Sequence, residues 1–192
     1  MASPYDDDLW RLVPEEPGPP PPRLVEFVEG LGPAAAALDL GCGDGRLAAL
    51  LDAGELTLAD VSDVALQRAA RRLPSARAIG LAPDAALPLP DNAFDLVLCA
   101  ETIEHVRDVQ LLLSEARRVL RPGGRLAVST PAHSRLTGLD VFARGFERRF
   151  PPLSPHLRFL TRRSLRGLLD DLGFDPGPIR RSHGTLFAVA TR

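Results

Sequence analysis

The chain contains no lysine: all 23 of its basic residues are arginines. Schiff-base and pyridoxal-phosphate mechanisms need a lysine amine, so neither can run on this chain alone. Cysteine is almost as scarce. Cys42 and Cys99 are too few for a disulfide scaffold and fit a reducing compartment. No apolar run reaches the roughly 18 residues that a membrane-spanning helix requires. The start, MASPYDDDLW, is acidic where a signal peptide is basic and apolar. A cytoplasmic protein without a membrane span is therefore expected. An excess of positive charge is missing too. The formal net charge is -2, which excludes the overall basic balance of a nucleic-acid coat protein.

What is present is 192 residues, 45% hydrophobic and 25% charged, enough for one globular domain with a substantial core. Charge is divided along the chain. Residues 1–104 hold 7 arginines against 18 acids, and residues 105–192 hold 16 arginines against 7 acids. The second half has either an anion-facing surface or a set of solvated arginine-rich helix faces.

Residues 1–22 contain Pro4, Pro14, Pro17 and the run Pro19 to Pro22 without sustained apolar periodicity, and are expected to form a flexible arm. From Arg23 the pattern changes. Leu24, Val25, Phe27, Val28 and Leu31 recur at helical spacing. A short apolar run, Ala34 to Leu40, then enters a glycine cluster, after which Leu47, Leu50 and Leu51 share one helical face. Strand and helix patterns alternate from there. Strands are expected at 56–59, 76–81, 94–100, 125–130 and 185–191, with helices at 64–73, 109–120 and 165–172. Such alternation predicts an α/β domain over 23–192, a single doubly wound, mostly parallel sheet whose ligand lies beyond the carboxyl ends of the strands.

The densest chemical signal is Asp39-Leu-Gly-Cys-Gly-Asp-Gly45, between a strand and a helix. Glycines at such a turn let the backbone bend sharply and approach a ligand closely. Nineteen residues beyond Gly41, Asp60 ends the second strand, where a carboxylate can accept both hydrogen bonds of a ribose diol.

Those residues, with Leu87-Pro-Leu-Pro-Asp-Asn-Ala-Phe-Asp95 and Arg118-Val-Leu-Arg-Pro-Gly-Gly-Arg-Leu126, resemble the successive motifs of class I S-adenosylmethionine-dependent methyltransferases. The likeness covers about residues 35–130 and points to the small-molecule branch that includes ubiquinone-biosynthesis O-methyltransferases. It implies a Rossmann-like sheet of order 3-2-1-4-5-7-6 and S-adenosylmethionine as cofactor. Asp39, Gly41, Cys42 and Gly43 would hold its methionine end, Asp60 and Val61 its ribose, and Asp84 and Ala85 its adenine. The segment following Asp84 is one residue shorter than the spacing common in the family.

A sulfonium methyl is already activated, so the protein must align an acceptor and, for most acceptors, help remove a proton. Glu101-Thr-Ile-Glu-His105, just beyond the fourth strand, is the candidate. If it starts a helix, Glu101, Glu104 and His105 share a face. The pattern resembles a metal-binding motif of ubiquinone-biosynthesis O-methyltransferases and of enzymes that 2′-O-methylate small-RNA 3′ ends. In the latter a downstream histidine completes the set, a position matched here by His156. Two readings stay open: a divalent metal on Glu101, Glu104, His105 and His156, or His105 as base with Glu101 facing the cofactor.

His133 is a second candidate base, whereas His183 gives no chemical signal. The connection 131–155, with Phe142, Phe146 and Phe150 beside Arg144, Arg148 and Arg149, is expected to be an acceptor-side insertion. Tyr5 and Trp10, unique in the chain, could fold over the cofactor. The leading expectation is methyl transfer to oxygen or nitrogen of a small molecule. RNA 3′-end methylation is the rival, disfavoured by net charge and the lack of a stacking platform. A non-catalytic nucleotide-binding protein of the same fold is the rival from outside enzymes.

Overall fold

The computed structural model describes residues 4–133, 137, 141–143, 145 and 156–192. Five strands run parallel: β1 (Ala34–Leu40), β2 (Ala53–Asp60), β3 (Arg77–Gly80), β4 (Phe94–Ala100) and β5 (Leu120–Pro131). Two short pieces, β6 (Asp175–Pro176) and β7 (Arg180–Ser182), and the last strand β8 (Thr185–Thr191) follow. The order is β3-β2-β1-β4-β5-β8-β6, with β7 also on β8. β8 is antiparallel to β5, so the last strand is inserted next to the fifth, as the expected order has it.

Alternation along the strands splits the core into two layers. Leu38, Leu40, Val97, Cys99, Leu126 and Val128 face α4 (Val109–Val119) and α5 (Arg162–Asp171), which contribute Leu113, Ala116, Leu165 and Leu169. On the opposite face Ala37, Leu96, Leu98 and Ala127 meet Leu24, Phe27 and Val28 of α2 (Pro22–Glu29). Phe27 packs on Phe187 with ring centroids 4.8 Å apart. On that same face Leu58 meets Leu66 and Ala69 of α3 (Asp63–Arg72). Each leucine so buried contributes about 1.5–3 kcal/mol. Asp95, the polar residue of β4, is accommodated because its carboxylate accepts Ala36 N at 2.9 Å and Arg121 Nη1 at 2.7 Å.

Four features differ from the sequence expectations. The proline-rich segment contains a helix, α1 (Pro4–Leu12), whose first turn carries Asp6 and Asp7 and which buries no residue; acidic groups near the amide end of a helix favour it. No α-helix follows the glycine cluster, only one 3-10 turn at Ala48–Leu50. Gly41, Gly43 and Gly45 all have positive φ, and with β2 starting at Ala53 too few residues are left for a full helix. β5 begins at Leu120, so Arg121 to Gly124 is carried within the strand, beside a bulge between Phe94 and Leu96. Finally, β6 and β7 pair with opposite ends of β8 as an interrupted sheet edge. Among the described residues no helix is long and apolar enough to cross a membrane.

Candidate functional site

The carboxyl ends of β1, β2, β4 and β5 bring two groups of side chains together. On the β1–β2 side, Gly41 N and Cys42 N both donate to Ala59 O, at 2.8 and 3.1 Å, which ties the glycine turn to the end of β2. Gly41 has φ +80°, and a Cβ there would run into the Thr102 side chain; Gly43 has φ +53°, and a Cβ would come 2.7 Å from Trp10 Cζ2. Only glycine fits either position. Asp60 is buried, and its carboxylate accepts Gly43 N at 2.8 Å and Ser62 N at 2.9 Å. Burial raises its pKa against the lowering effect of those two bonds.

Asp39 is 2% exposed. Burial first, and the charge of Asp60 second, push its carboxyl up to about 8. The buried Cys42 thiol is also pushed up, chiefly by burial, so it is an inert packing group. Val61 is half-buried next to Asp60.

Asp84 and Ala85 do not join this group. Both are exposed, Asp84 has φ +51°, and its carboxylate lies 3.7 Å from Arg107 Nε.

On the β4–β5 side, residues 101–105 form a turn rather than the start of a helix. Glu101 has φ +51°, His105 N donates to Thr102 O at 2.9 Å, and α4 starts later, capped by Asp108. The helical face expected for Glu101, Glu104 and His105 is therefore absent. The Glu101 carboxylate accepts Ser129 Oγ at 2.8 Å and lies outside the cluster that the other residues make. Burial is the main cause of its raised pKa.

The turn gathers Glu104, His105 and His156, with one ligand atom from each inside a span of 4.8 Å. Glu104 is 1% exposed. Its Oε2 accepts Thr130 Oγ1 at 3.0 Å, while Oε1 has no hydrogen-bond partner among the described residues and lies 3.8 Å from His105 Nε2. Burial, with the Glu101 charge adding, pushes Glu104 up to about 7. The His105 and His156 rings are 4.9 Å apart, and Leu157 N donates to Glu104 O at 2.7 Å, which brings the histidine strand to the carboxylate. Burial, then the neighbouring His105, lowers the pKa of His156. Two imidazoles and one carboxylate, whose Oε1 is buried and has no hydrogen-bond partner among the described residues, form a donor set that fits a divalent transition-metal ion. The same three groups can equally pass a proton.

Thr102, Ser129 and Thr130 were not predicted. The available signal was the polar pair Ser129-Thr130 closing an apolar strand. His133 packs edge-on to Phe159 at 5.0 Å, and His183 sits with φ +44° in the exposed β7–β8 turn. Of the expected insertion, Phe146, Phe150, Arg144, Arg148 and Arg149 lie outside the described residues; Phe142 is 88% exposed.

Residues 38–128 match the family model of a methyltransferase domain. The chain is 34% identical over 179 residues to malonyl-acyl-carrier-protein O-methyltransferase of Methylococcus capsulatus, covering 86% of this chain and 63% of that one. It is 36% identical over 124 residues to the ubiquinone/menaquinone biosynthesis C-methyltransferase UbiE of a Shewanella species, covering 58% and 49%. The chain thus spans between about half and two thirds of the length of these relatives. In fold it is similar to an S-adenosylmethionine dependent methyltransferase from Mesorhizobium loti, with TM-score 0.66, 21% identity and coverage of 89% and 96%.

Proposed function

We propose, from the premise that this chain belongs to the class I S-adenosylmethionine-dependent methyltransferases, that it methylates an oxygen or nitrogen of a small-molecule acceptor. The observation that carries this reading is the Glu104 carboxylate, buried, unpartnered at Oε1 and facing His105 beside His156. Gly41 and Gly43 supply the close backbone approach and Asp60 the ribose acceptor oxygens, with Asp39, Cys42 and Val61 forming the floor of that cleft. When bound, the cofactor supplies an electrophilic methyl.

The chain's own residues do the rest. Ser129 holds Glu101 and Thr130 holds Glu104, so both carboxylates are oriented before an acceptor arrives. Glu104, with a pKa near 7, takes the acceptor's proton, and His105 and His156 carry it onward to solvent. A hydroxyl or ammonium acceptor requires that step. A carbon acceptor requires it as well, which is the rival consistent with the C-methyltransferase relative.

The donor set also favours a second reading, in which Glu104, His105 and His156 hold a divalent ion. The ion would supply Lewis acidity, lowering the pKa of an acceptor hydroxyl. Three protein ligands would leave a coordination position open for the acceptor, as catalytic sites do.

The test is transfer of radiolabelled methyl from S-adenosylmethionine to hydroxyl, amine and activated-carbon acceptors, each with and without chelator. Labelled ether, ester or amine products support the proposal, and products labelled only at carbon overturn it. Loss of transfer in chelator, restored by one divalent metal, selects the metal reading over the proton relay.

A further inference from the structure

The chain's single tryptophan lies against the glycine turn. Trp10 sits on α1, a helix that buries nothing in the core, yet α1 and the residues after it are tied to the β1–β2 end at several separate points. The Asp7 carboxylate accepts Ser62 Oγ at 2.6 Å and Val64 N at 3.1 Å, adding a second cap to the start of α3 beside that of Ser62 on Ala65 N. Arg68 of α3 donates to the Val13 and Pro14 carbonyls at 2.9 and 3.3 Å and places its guanidinium 5.9 Å from the Trp10 ring centroid. Arg46, from the glycine turn itself, donates to Gly18 O at 2.7 Å.

These ties hold the indole where Gly43 leaves room for it. A Cβ on Gly43 would stand 2.7 and 2.8 Å from Cζ2 and Cη2 of the ring, so the ring is in contact with the glycine backbone. Gly43 N in turn donates to the Asp60 carboxylate. The indole, the glycine and the acid thus form one contiguous surface. The cationic Arg68 is also drawn to the ring of the indole.

We infer that Trp10 is a cofactor-binding residue and that α1 is the flap that closes the cleft over Gly43 and Asp60. The indole supplies a flat apolar wall that excludes water from the ribose side of the cofactor, and Asp7 latches the flap to α3. The inference rests on the reading that Gly41, Gly43 and Asp60 hold S-adenosylmethionine.

Because Trp10 is the only tryptophan, its emission reports on this site alone. The full chain is titrated with S-adenosylhomocysteine under selective indole excitation and, in parallel, by calorimetry. The emission is expected to change and to saturate at the calorimetric Kd. Trp10→Ala should raise Kd about tenfold, the equivalent of about 1.4 kcal/mol, with the fold retained by circular dichroism. Trp10→Phe should restore Kd to within about threefold, since a ring is retained. Asp7→Ala, which leaves the indole in place and removes the latch, should raise Kd by a smaller factor.

An unchanged Kd in Trp10→Ala, or calorimetric binding with no emission change, overturns the inference and leaves the cofactor reading intact. Absence of calorimetric binding in the parent chain overturns the cofactor reading itself. If Trp10→Ala does not fold, Asp7→Ala and the parent's emission titration decide, and an unaltered Kd in the former with a flat emission in the latter overturns the inference.

Discussion

Asp60 and Glu104 are both buried carboxylates at strand ends, and both are raised in pKa mainly by burial, but their surroundings assign them different work. The oxygens of Asp60 each accept a backbone N–H, from Gly43 and from Ser62. The acid is thereby welded to the turn, with its remaining lone pairs in fixed directions. Glu104 accepts one hydroxyl, from Thr130, and its other oxygen has no hydrogen-bond partner among the described residues and lies 3.8 Å from His105 Nε2. In the proposed function one carboxylate recognises, and the other exchanges a proton or takes a cation. Backbone donors cannot be relaxed without moving the loop, whereas a side-chain hydroxyl and two imidazoles can reorganise within a reaction cycle.

The sharpest way to break the recognition side is Gly43→Val. A side chain there must displace Trp10, from a backbone with φ +53° that β-branched residues avoid. Cofactor affinity measured by calorimetry should fall more than about 100-fold, while the sheet, which Gly43 does not join, stays folded by circular dichroism. Retained affinity would remove the glycine turn from the site.

On the exchange side, Glu104→Gln keeps the shape and the bond from Thr130 but takes away the charge. Turnover should fall about 100-fold to 10,000-fold, the usual range for losing an acid–base group, with cofactor Kd unchanged. Turnover unaffected by Glu104→Gln would refute both the relay and the metal reading. The counterpart, Asp60→Asn, should show the inverse split. The amide can accept from only one of Gly43 N and Ser62 N and turns a donor toward the other, so Kd should rise about tenfold while kcat at saturation is kept. Equal losses of kcat in the two variants would erase the contrast between the two acids.

The two sides were also unequally legible in the sequence. β4 and β8 occupy 94–100 and 185–191 as expected, because strands covered on both faces show continuous apolar runs. Asp60 was legible because a strand end and a fixed distance from the glycines locate it. The turn at 101–105 was not, since helical spacing of Glu101, Glu104 and His105 is a pattern that the positive φ of Glu101 disrupts. His156 was named from its likeness to the downstream histidine of the RNA-methylating enzymes, but what brings it to Glu104 is the backbone bond from Leu157, a contact across 53 positions that no local pattern encodes. β6 and β7 are too short for alternation to register and exist because β8 offers them an edge. Trp10 on Gly43 and Thr130 on Glu104 belong to the same class: contacts between residues far apart in the sequence.

The last test falls on Asp39 and reads stability without ligand. Asp39 is 2% exposed and held at about 8 against an ordinary value of 3.8, because its charged form lacks solvent and faces Asp60. Its folded pKa is raised, so between about pH 4 and pH 8 the unfolded chain releases this proton while the folded chain keeps it. The carboxyl therefore contributes its full share of stability below pH 4, loses that share progressively as pH rises to about 8, and changes no further above it. Asp39→Asn removes the titration and leaves a neutral group of the same shape. The melting temperatures of the two proteins should be close near pH 4, and the variant's should exceed the parent's by pH 8, each kcal/mol appearing as about 2–4 °C in a domain of this size. A gap that narrows instead of widening as pH rises would mean that Asp39 is ionised in the folded chain, with the repulsion between Asp39 and Asp60 relieved by a partner.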